Sequence, residues 1–305
     1  MEINGVINVY KEAGYTSHDV VAKLRGIFHQ KKIGHTGTLD PEAEGVLPVC
    51  LGKATRLCDM LADHDKVYEA VLHLGICTDT QDMTGRILEE KPVYVTEEEV
   101  RSCIASFIGE QMQVPPMYSA LKVNGKKLYE LAREGKEIER TPRKVHFYEI
   151  EILKLELPMV SIRVHCSKGT YIRTLCNDIG VKLGCGGCME KLVRTRVERF
   201  ELTDARKLCQ IREYVSRQEF AAIVVPVDQM FEQYPAVYTV PEGDQLVHNG
   251  NLFSESFVEG LSSESTSEEN YRIYDSEKAF VGIFRKKGNM FLPLKMFYTQ
   301  EIKGF

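Results

Sequence analysis

The stretch VHFYEIEILKLEL at residues 145–157 is followed closely by VSIRVHCSKGTYIRTLCNDIGVKLG at residues 160–184. Apolar residues alternate through the first stretch and through the start of the second, which is typical of strands with one buried face. The alternation slips at Ile152-Leu153, which predicts a β-bulge. Apolar residues then recur at helical spacing from Ile172 to Leu183, and Gly184 is a natural helix end. Two successive strands followed by a helix decide the fold class.

The same mixture extends toward the N-terminus. Apolar residues between Val20 and Phe28 lie on one helical face, and Ser17 is predicted to cap that helix. Residues 67–74 alternate as a strand, and residues 96–99 form a capping box before a helix that Gly109 is predicted to end. Strands and helices follow no regular βαβ order. We therefore expect an α+β fold, with a largely antiparallel mixed sheet flanked by helices, rather than a doubly wound fold.

The character of the chain changes between Pro226 and Pro235. A polar segment rich in Ser and Glu, residues 261–270, reads as a surface loop because it has too few apolar side chains to pack. Strand-like segments flank it, at residues 236–240, 271–274 and 280–284. We predict a first domain over residues 1–233 and a small β-rich domain over residues 234–305.

Composition excludes several protein classes. The 305 residues are 43% hydrophobic and 27% charged with a formal net charge of −5, which argues against a disordered, collagen-like or globally basic chain. Nine cysteines, an odd number, do not resemble the disulfide framework of a secreted protein. The N-terminus has no signal-peptide pattern, and no apolar run has the length of a membrane span. The expected location is the cytoplasm.

Basic residues are concentrated in three segments. Residues 21–36 contain four Lys or Arg and no acid, residues 163–199 contain eight against three acids, and residues 119–146 contain eight against four. Residues 251–271 contain five Glu and no basic residue. This segregation fits a polyanionic partner, although charged runs are equally often solvated surface.

The densest unusual segment is GHTGTLDPEAEGVLPVCLGKATR at residues 34–56, with four Gly and two Pro. Asp40 precedes Pro41 and is therefore biased away from helical backbone angles. A carboxylate held in such a loop beside His35 could be a nucleophile or a base, but Asp-Pro is also a common start of a turn. From these residues by themselves, the turn is the favoured interpretation.

The pair Cys185 and Cys188 has the spacing of half a zinc site. A second Cys-x-x-Cys is absent from the sequence, and no His follows at ligand spacing. We interpret the two thiols as buried side chains after a helix and predict no metal.

Five ordered motifs resemble those of the TruB family, the tRNA pseudouridine 55 synthases, over about residues 3–200. They are Gly34-His-Thr-Gly-Thr-Leu-Asp-Pro41 with Gly45-Val-Leu-Pro48, Asp65-Lys-Val-Tyr68, Thr78-Asp-Thr80 with Asp82 and Gly85, Pro115-Pro-Met-Tyr-Ser-Ala-Leu-Lys122, and His165-Cys-Ser-Lys-Gly-Thr-Tyr-Ile-Arg-Thr174. The tail resembles more weakly the PUA-like RNA-binding module of that family. One departure is Glu12, which stands where the family usually has Pro.

The resemblance implies a pseudouridine synthase fold and a reaction that needs no cofactor. It assigns catalysis to Asp40, which Arg173 would pair with and orient, and to Tyr68, whose ring would also face the flipped-out base. His35 would hold the flipped-out state, Tyr171 would contact the uridine, and Leu192 would line the uracil pocket. Each of these also has a plain structural interpretation, as a loop His or as core Tyr and Leu residues.

The resemblance implies tRNA, through its T arm, as the partner. Archaeal and eukaryotic relatives act within guide-RNA particles, but the short chain without basic tails favours a stand-alone bacterial type without guide RNA. We also expect a monomer. The sequence leaves open whether Asp40 attacks C1′, attacks C6 or deprotonates the sugar. It also leaves open an RNA chaperone using the same surface, either beside catalysis or instead of it, and a synthase for another RNA.

Overall fold

A computed structural model describes residues 2–123, 125–261 and 269–298. Most of these residues lie in two β-sheets and the helices that cover them. Most of the Ser/Glu-rich segment that was predicted to be a surface loop, residues 262–268, lies outside the described residues.

In the described part of the chain, the strands are β1 Gly5–Lys11, β2 Ile33–His35, β3 Glu44–Leu51, β4 Lys66–Leu74, β5 Ile76–Thr78, β6 Ile87–Glu90, β7 Gly109–Gln113, β8 Lys122–Val123, β9 Lys126–Lys127, β10 Arg143–Glu156, β11 Met159–Cys166, β12 Gly187–Val197, β13 Phe200–Glu201, β14 Val224–Val225, β15 Ala236–Thr239, β16 Phe253–Ser254, β17 Val258–Glu259, β18 Asn270–Tyr274, β19 Phe280–Lys287 and β20 Met290–Met296. The α-helices are α1 Ser17–Phe28, α2 Cys58–Ala62, α3 Glu97–Ala105, α4 Leu128–Arg133, α5 Ile172–Lys182, α6 Leu208–Ser216 and α7 Pro241–His248. Short 3-10 turns connect several of these elements, one of them at Gly52–Leu57.

The larger sheet has ten strands in the order β14-β1-β3-β12-β4-β11-β10-β7, with β13 beside β12 and β2 beside β3. Strand β12 pairs with β3 in parallel, whereas the other pairings in this sheet are antiparallel. The predicted α+β fold with a largely antiparallel mixed sheet is therefore confirmed. The predicted bulge is present as well, because the β10–β11 register shifts between Ile152 and Lys154.

Helices cover the larger sheet in two groups. Helices α3 and α5 pack on the centre of the sheet, where Val100, Ile104, Ile172 and Ile179 join the apolar side chains of β4, β10 and β11. Helices α1 and α6 pack against β1 and β3. Burial of these alternating and helically spaced apolar faces is the main source of stability of the fold.

Two predicted helix ends are wrong. Thr16, not Ser17, caps α1: its side chain accepts a hydrogen bond from the Asp19 amide, and Asp19 completes a capping box. Ser17 is buried and bonds instead to the backbone of Leu39, where its hydroxyl accepts from the amide at 2.9 Å. Helix α3 begins with the predicted Thr96–Glu99 box but ends at Ala105, and Gly109 begins strand β7.

The smaller sheet has six strands in the order β16-β20-β19-β18-β15-β17. Its own apolar cluster includes Val237, Phe253 and Phe284. A second cluster joins it to the rest of the chain, because Ile283 and Phe297 pack in one core with residues of β3 and of the turn after it. Since the two parts share this core, the division between residues 233 and 234 stays a prediction.

Candidate active site

A cleft of about 1100 Å³ opens where the loop after β2 meets strands β4 and β12 and the start of α5. Five of the residues predicted for the site line it: Asp40, Tyr68, Tyr171, Arg173 and Leu192. They come from four separate parts of the chain, because Tyr171 and Arg173 belong to one motif, so the fold brings distant motifs together. Concave sites with converging polar groups are the usual form of a substrate site.

Asp40 and Arg173 form an ion pair in the lining of this cleft. The Arg173 Nη2 atom donates to Asp40 Oδ1 at 3.0 Å and to the Tyr118 carbonyl at 2.8 Å. Arg173 is 5% exposed and Asp40 is 36% exposed at the side chain. The arginine is therefore fixed inside the protein, while the carboxylate reaches the open space where a substrate would lie.

The electrostatics of Asp40 are set by opposing effects. Burial raises the pKa of Asp40 above its usual range, and the Arg173 charge acts in the opposite direction. Asp82 also raises this pKa. The Asp82 carboxylate lies 3.9 Å from Arg173 Nη1, so one guanidinium stands between two carboxylates. Arg173 therefore favours the charged form of Asp40 against the effects of burial and of Asp82.

Tyr68, Leu192 and Tyr171 form the walls near Asp40. Tyr68 lies on β4 and Leu192 on β12, each 7% exposed, and burial raises the pKa of the Tyr68 phenol. Tyr171 precedes α5, and both polar groups of its backbone bond to the side-chain amide of Gln113, at 2.8 and 3.0 Å. These contacts hold an apolar and aromatic surface next to the carboxylate.

His35 lies beside the cleft rather than in its lining. It is the last residue of β2, and its ring packs edge-on against His18 at a centroid distance of 5.1 Å. His18 does line the cleft. Burial lowers the pKa of His35 to about 4, with smaller effects from His18 and Arg194, so the ring is neutral at physiological pH.

Two buried cations support the loop that carries Asp40. Lys11 Nζ donates to the carbonyls of Pro41 and Ala43 at 2.8 and 2.5 Å, and burial lowers its pKa to about 8. Arg194 donates from Nε to the Val46 carbonyl at 2.7 Å. Arg194 also donates to the carbonyls of Thr38 and Gly37, so the backbone on both sides of Asp40 is tied to the sheet.

Two family models match this chain in sequence. The N-terminal domain of TruB family pseudouridylate synthases matches residues 25–172, and the C-terminal domain of tRNA pseudouridylate synthase B matches residues 173–232. Together they cover well over half of the chain. The chain belongs to the TruB family. The resemblance based on the five motifs is confirmed, and the chain is an isomerase of the pseudouridine synthase type.

Whole-chain relatives agree with this assignment. A tRNA pseudouridine synthase B from Lachnoclostridium phytofermentans is 53% identical over 97% of this chain and 100% of its own length. One from Clostridium kluyveri is 44% identical with the same coverage. Among solved structures, a chain from an H/ACA RNP bound to a substrate RNA containing 2'-deoxyuridine is 27% identical with a TM-score of 0.70, covering 97% of this chain and 86% of that one. A chain from a Cbf5-Nop10-Gar1 complex is 29% identical with a TM-score of 0.71 and the same coverage.

The sequence interpretation missed Lys11, Gln113 and Arg194 as parts of this TruB-family site, and it quoted Asp82 within a motif without giving it a role. A signal for Arg194 was present, since it follows Leu192 by two residues on one strand and therefore points to the same face. A signal for Lys11 is that it ends an otherwise buried strand. Gln113 carried no comparable pattern, because its partner Tyr171 lies far away in the sequence. Asp82 stood in a quoted motif, but its approach to Arg173 depends on the fold.

The structure changes the interpretation of one basic segment. Six of the eight basic residues in 163–199 have carboxylate partners, most of them far away in the sequence: Arg163 with Glu69 and Glu151, Lys168 with Asp63, Arg173 with Asp40 and Asp82, Lys191 with Glu44, Arg196 with Asp65, and Arg199 with Glu232. In the described residues, Lys31 and Lys32 of the 21–36 segment have no such ion pair and are exposed. Residues 21–36 are therefore a better candidate for phosphate contacts than residues 163–199.

Cys185 and Cys188 are both buried and unpaired as disulfides. Over residues 2–123, 125–261 and 269–298, no group of three or more His, Cys, Asp and Glu side chains has the arrangement of a metal site. In the same ranges, no helix is long and apolar enough to cross a membrane.

Proposed function

We propose that this chain converts uridine 55 in the T arm of tRNA to pseudouridine, with Asp40 as the essential catalytic group. The Asp40–Arg173 pair carries the proposal. A buried arginine directs a partly exposed carboxylate into a cleft with apolar and aromatic walls. Such an arrangement suits a reaction in which a carboxylate acts on one enclosed nucleoside.

The reaction moves bonds without net oxidation or reduction. The N1–C1′ bond of the uridine breaks, the base turns, and a C5–C1′ bond forms while C5 loses a proton and N1 gains one. Asp40 can serve by attack on C1′, by attack on C6 or by taking a proton from the sugar. In each case it must be ionised, and Arg173 favours that state.

The target base must leave its stack to enter the cleft. Tyr68 offers its ring to the base and its phenol to the reacting carbon, while Leu192 and Tyr171 exclude water from the other sides. We propose that neutral His35, packed on His18 at the cleft edge, helps to hold the RNA in its flipped-out form. A neutral ring can stack on or hydrogen-bond to the RNA at the position that the base has left. It needs no carboxylate to balance its charge there.

We also propose that the chain acts as a monomer in the cytoplasm without guide RNA, and that residues 234–305 contribute a PUA-like RNA-binding domain. Support comes from the relatives named tRNA pseudouridine synthase B, which match over their whole length. The chain from the H/ACA particle is more distant in sequence. A chaperone activity on tRNA could use the same binding surface without any chemistry.

The test is direct detection of the product. Purified protein is incubated with an unmodified tRNA transcript and no other RNA, and pseudouridine is located by a mass tag. We expect modification at position 55, none in a transcript with cytidine at that position, and none with Asp40→Asn, which removes the charge at nearly constant shape. Modification elsewhere, or a requirement for a second RNA, would contradict the proposal. Unmodified tRNA that nevertheless refolds faster would indicate a chaperone.

A further inference from the structure

Arg194 lies beneath the loop that carries Asp40, and it is 1% exposed. Among the residues that the structure describes, it forms no ion pair with a carboxylate. This is unusual, because a buried charge without a partner is costly. Its guanidinium donates instead to the carbonyls of Val46, Thr38 and Gly37, at 2.7, 3.5 and 3.4 Å.

These three carbonyls lie on both sides of Asp40 in the sequence. The backbone of Arg194 adds a further contact, since Val193 and Arg194 pair in parallel with Glu44 and Gly45. The approach is so close that a Cβ atom on Gly45 would lie 2.2 Å from the Arg194 carbonyl oxygen. Arg194 therefore fixes the segment before Asp40 and the segment after it.

The same residue faces Tyr68, its partner in the antiparallel β4–β12 register. Burial raises the pKa of the Tyr68 phenol, and the Arg194 charge is the leading effect in the opposite direction. Since no carboxylate neutralises the guanidinium, its field acts on the Tyr68 oxygen at short range in a poorly solvated site.

The other basic groups around Arg194 have lowered pKa values, mainly because they are buried. Burial is the main cause that lowers the pKa of His35 to about 4 and the pKa values of Lys11 and Lys66 to about 8, and in each case Arg194 lowers the pKa further. Burial also lowers the pKa of Arg194, but the pKa of a guanidinium lies so far above neutrality that Arg194 remains cationic at physiological pH.

We propose that Arg194 is a positioning residue for both halves of the reaction: it holds the Asp40 loop by its carbonyls, and its unpaired charge favours the ionised form of the Tyr68 phenol, which then takes the C5 proton. In that step, ionised Tyr68 forms its O–H bond as the C5–H bond breaks. The electron pair returns to the ring, and N1 takes its proton from water. This inference rests on the function proposed above.

Two variants separate charge from support. Arg194→Gln keeps donors for the carbonyls and removes the charge, whereas Arg194→Lys keeps the charge and has fewer donors. Both are measured by single-turnover rates at saturating tRNA, by the tRNA Kd, and by the isotope effect from uridine deuterated at C5. A role in support of the loop would not change that isotope effect.

We expect Arg194→Gln to lower the single-turnover rate at least tenfold, with Kd changed less than threefold and a C5 isotope effect at least twice that of the unmodified protein. Arg194→Lys should keep the original isotope effect. In a Tyr68→Phe background, Arg194→Gln should lower the rate less than threefold, because coupled residues are not additive. Equal effects in both backgrounds, or an unchanged isotope effect, would overturn the inference.

Circular dichroism melting checks that each variant folds. If Arg194→Gln does not, Arg194→Lys decides the question, since a raised isotope effect in a protein that keeps the charge would contradict the proposal. The parent protein separates the two levels of inference. If it forms no pseudouridine, the proposed function fails. If it does and the Arg194 variants match it, the Arg194 role fails on its own.

Discussion

Replacing Arg173 with Ala should make catalysis depend on pH in a new range. The substitution removes the cation that bonds to Asp40 at 3.0 Å and leaves Asp82 nearby. An arginine beside a carboxyl lowers its pKa, so the loss of Arg173 raises the pKa of Asp40. Burial already raises this pKa, so both effects then act in the same direction.

The expected loss of rate in Arg173→Ala is modest. Because 36% of the Asp40 side chain is exposed, solvent screens part of the Arg173 charge and weakens its effect on the Asp40 pKa. We therefore expect the rate to fall about tenfold, which is equivalent to about 1.4 kcal/mol. A protonated carboxyl is a poor nucleophile and a poor base. At a pH below the raised pKa of Asp40, the variant should therefore be about tenfold slower than the parent protein. The difference should shrink as the pH rises through that pKa.

The assay is single-turnover formation of pseudouridine at saturating tRNA, from pH 5.5 to about 9. Arg173→Lys should recover part of the loss, since an ammonium restores the charge but not the planar contacts of a guanidinium. Arg163→Ala is the matched control, because its ion pairs with Glu69 and Glu151 are exposed and lie outside the cleft. A higher Kd with an unchanged rate, or a loss that is equal at every pH, would refute this account of Arg173.

Three further predictions concern binding, metals and stability. The tRNA affinity should fall steeply with salt. The double replacement of Lys31 and Lys32 by Ala should lower the slope of log K against log salt by about one per lost phosphate contact. Lys168→Ala removes a cation that is already paired with Asp63, so it should leave this slope unchanged. Chelators should not affect the rate, and inhibition that zinc reverses would indicate a metal site that the sequence interpretation excluded. Gly45→Ala should lower the free energy of unfolding, measured with urea, by at least about 2 kcal/mol. The φ of +106° at this position disfavours an L residue, and the added Cβ would overlap the backbone of a neighbouring strand. Gly135 has a φ of +71° with open space around it, so Gly135→Ala should lower the same free energy by only about 1 kcal/mol.

Local patterns in the sequence determined the elements and the fold class. The strands around Val160 and Ile152, the helix after Tyr171 and the bulge between two strands were all predicted, since side-chain periodicity depends on near neighbours. Helix ends were less predictable. Thr16 and Ser17 are equally suitable caps by residue type, and the contact of Ser17 with a loop more than twenty residues away decided between them.

The sequence also determined the family, because five ordered motifs are specific evidence. It did not determine which basic residues are free to bind RNA. Runs such as residues 163–199 look basic along the chain, yet their partners come from other strands and loops. An ion pair depends on distance in space, whereas a charge run measures distance along the sequence.

The tertiary structure decided how the Asp40 loop is held. Lys11 and Arg194 are charged residues in strands, which by composition belong on the surface, and both are buried. They are buried because the loop presents unpaired carbonyls that a buried cation can satisfy. Periodicity indicates which face of a strand a side chain occupies, but the backbone groups that it meets there are set by the packing of remote segments.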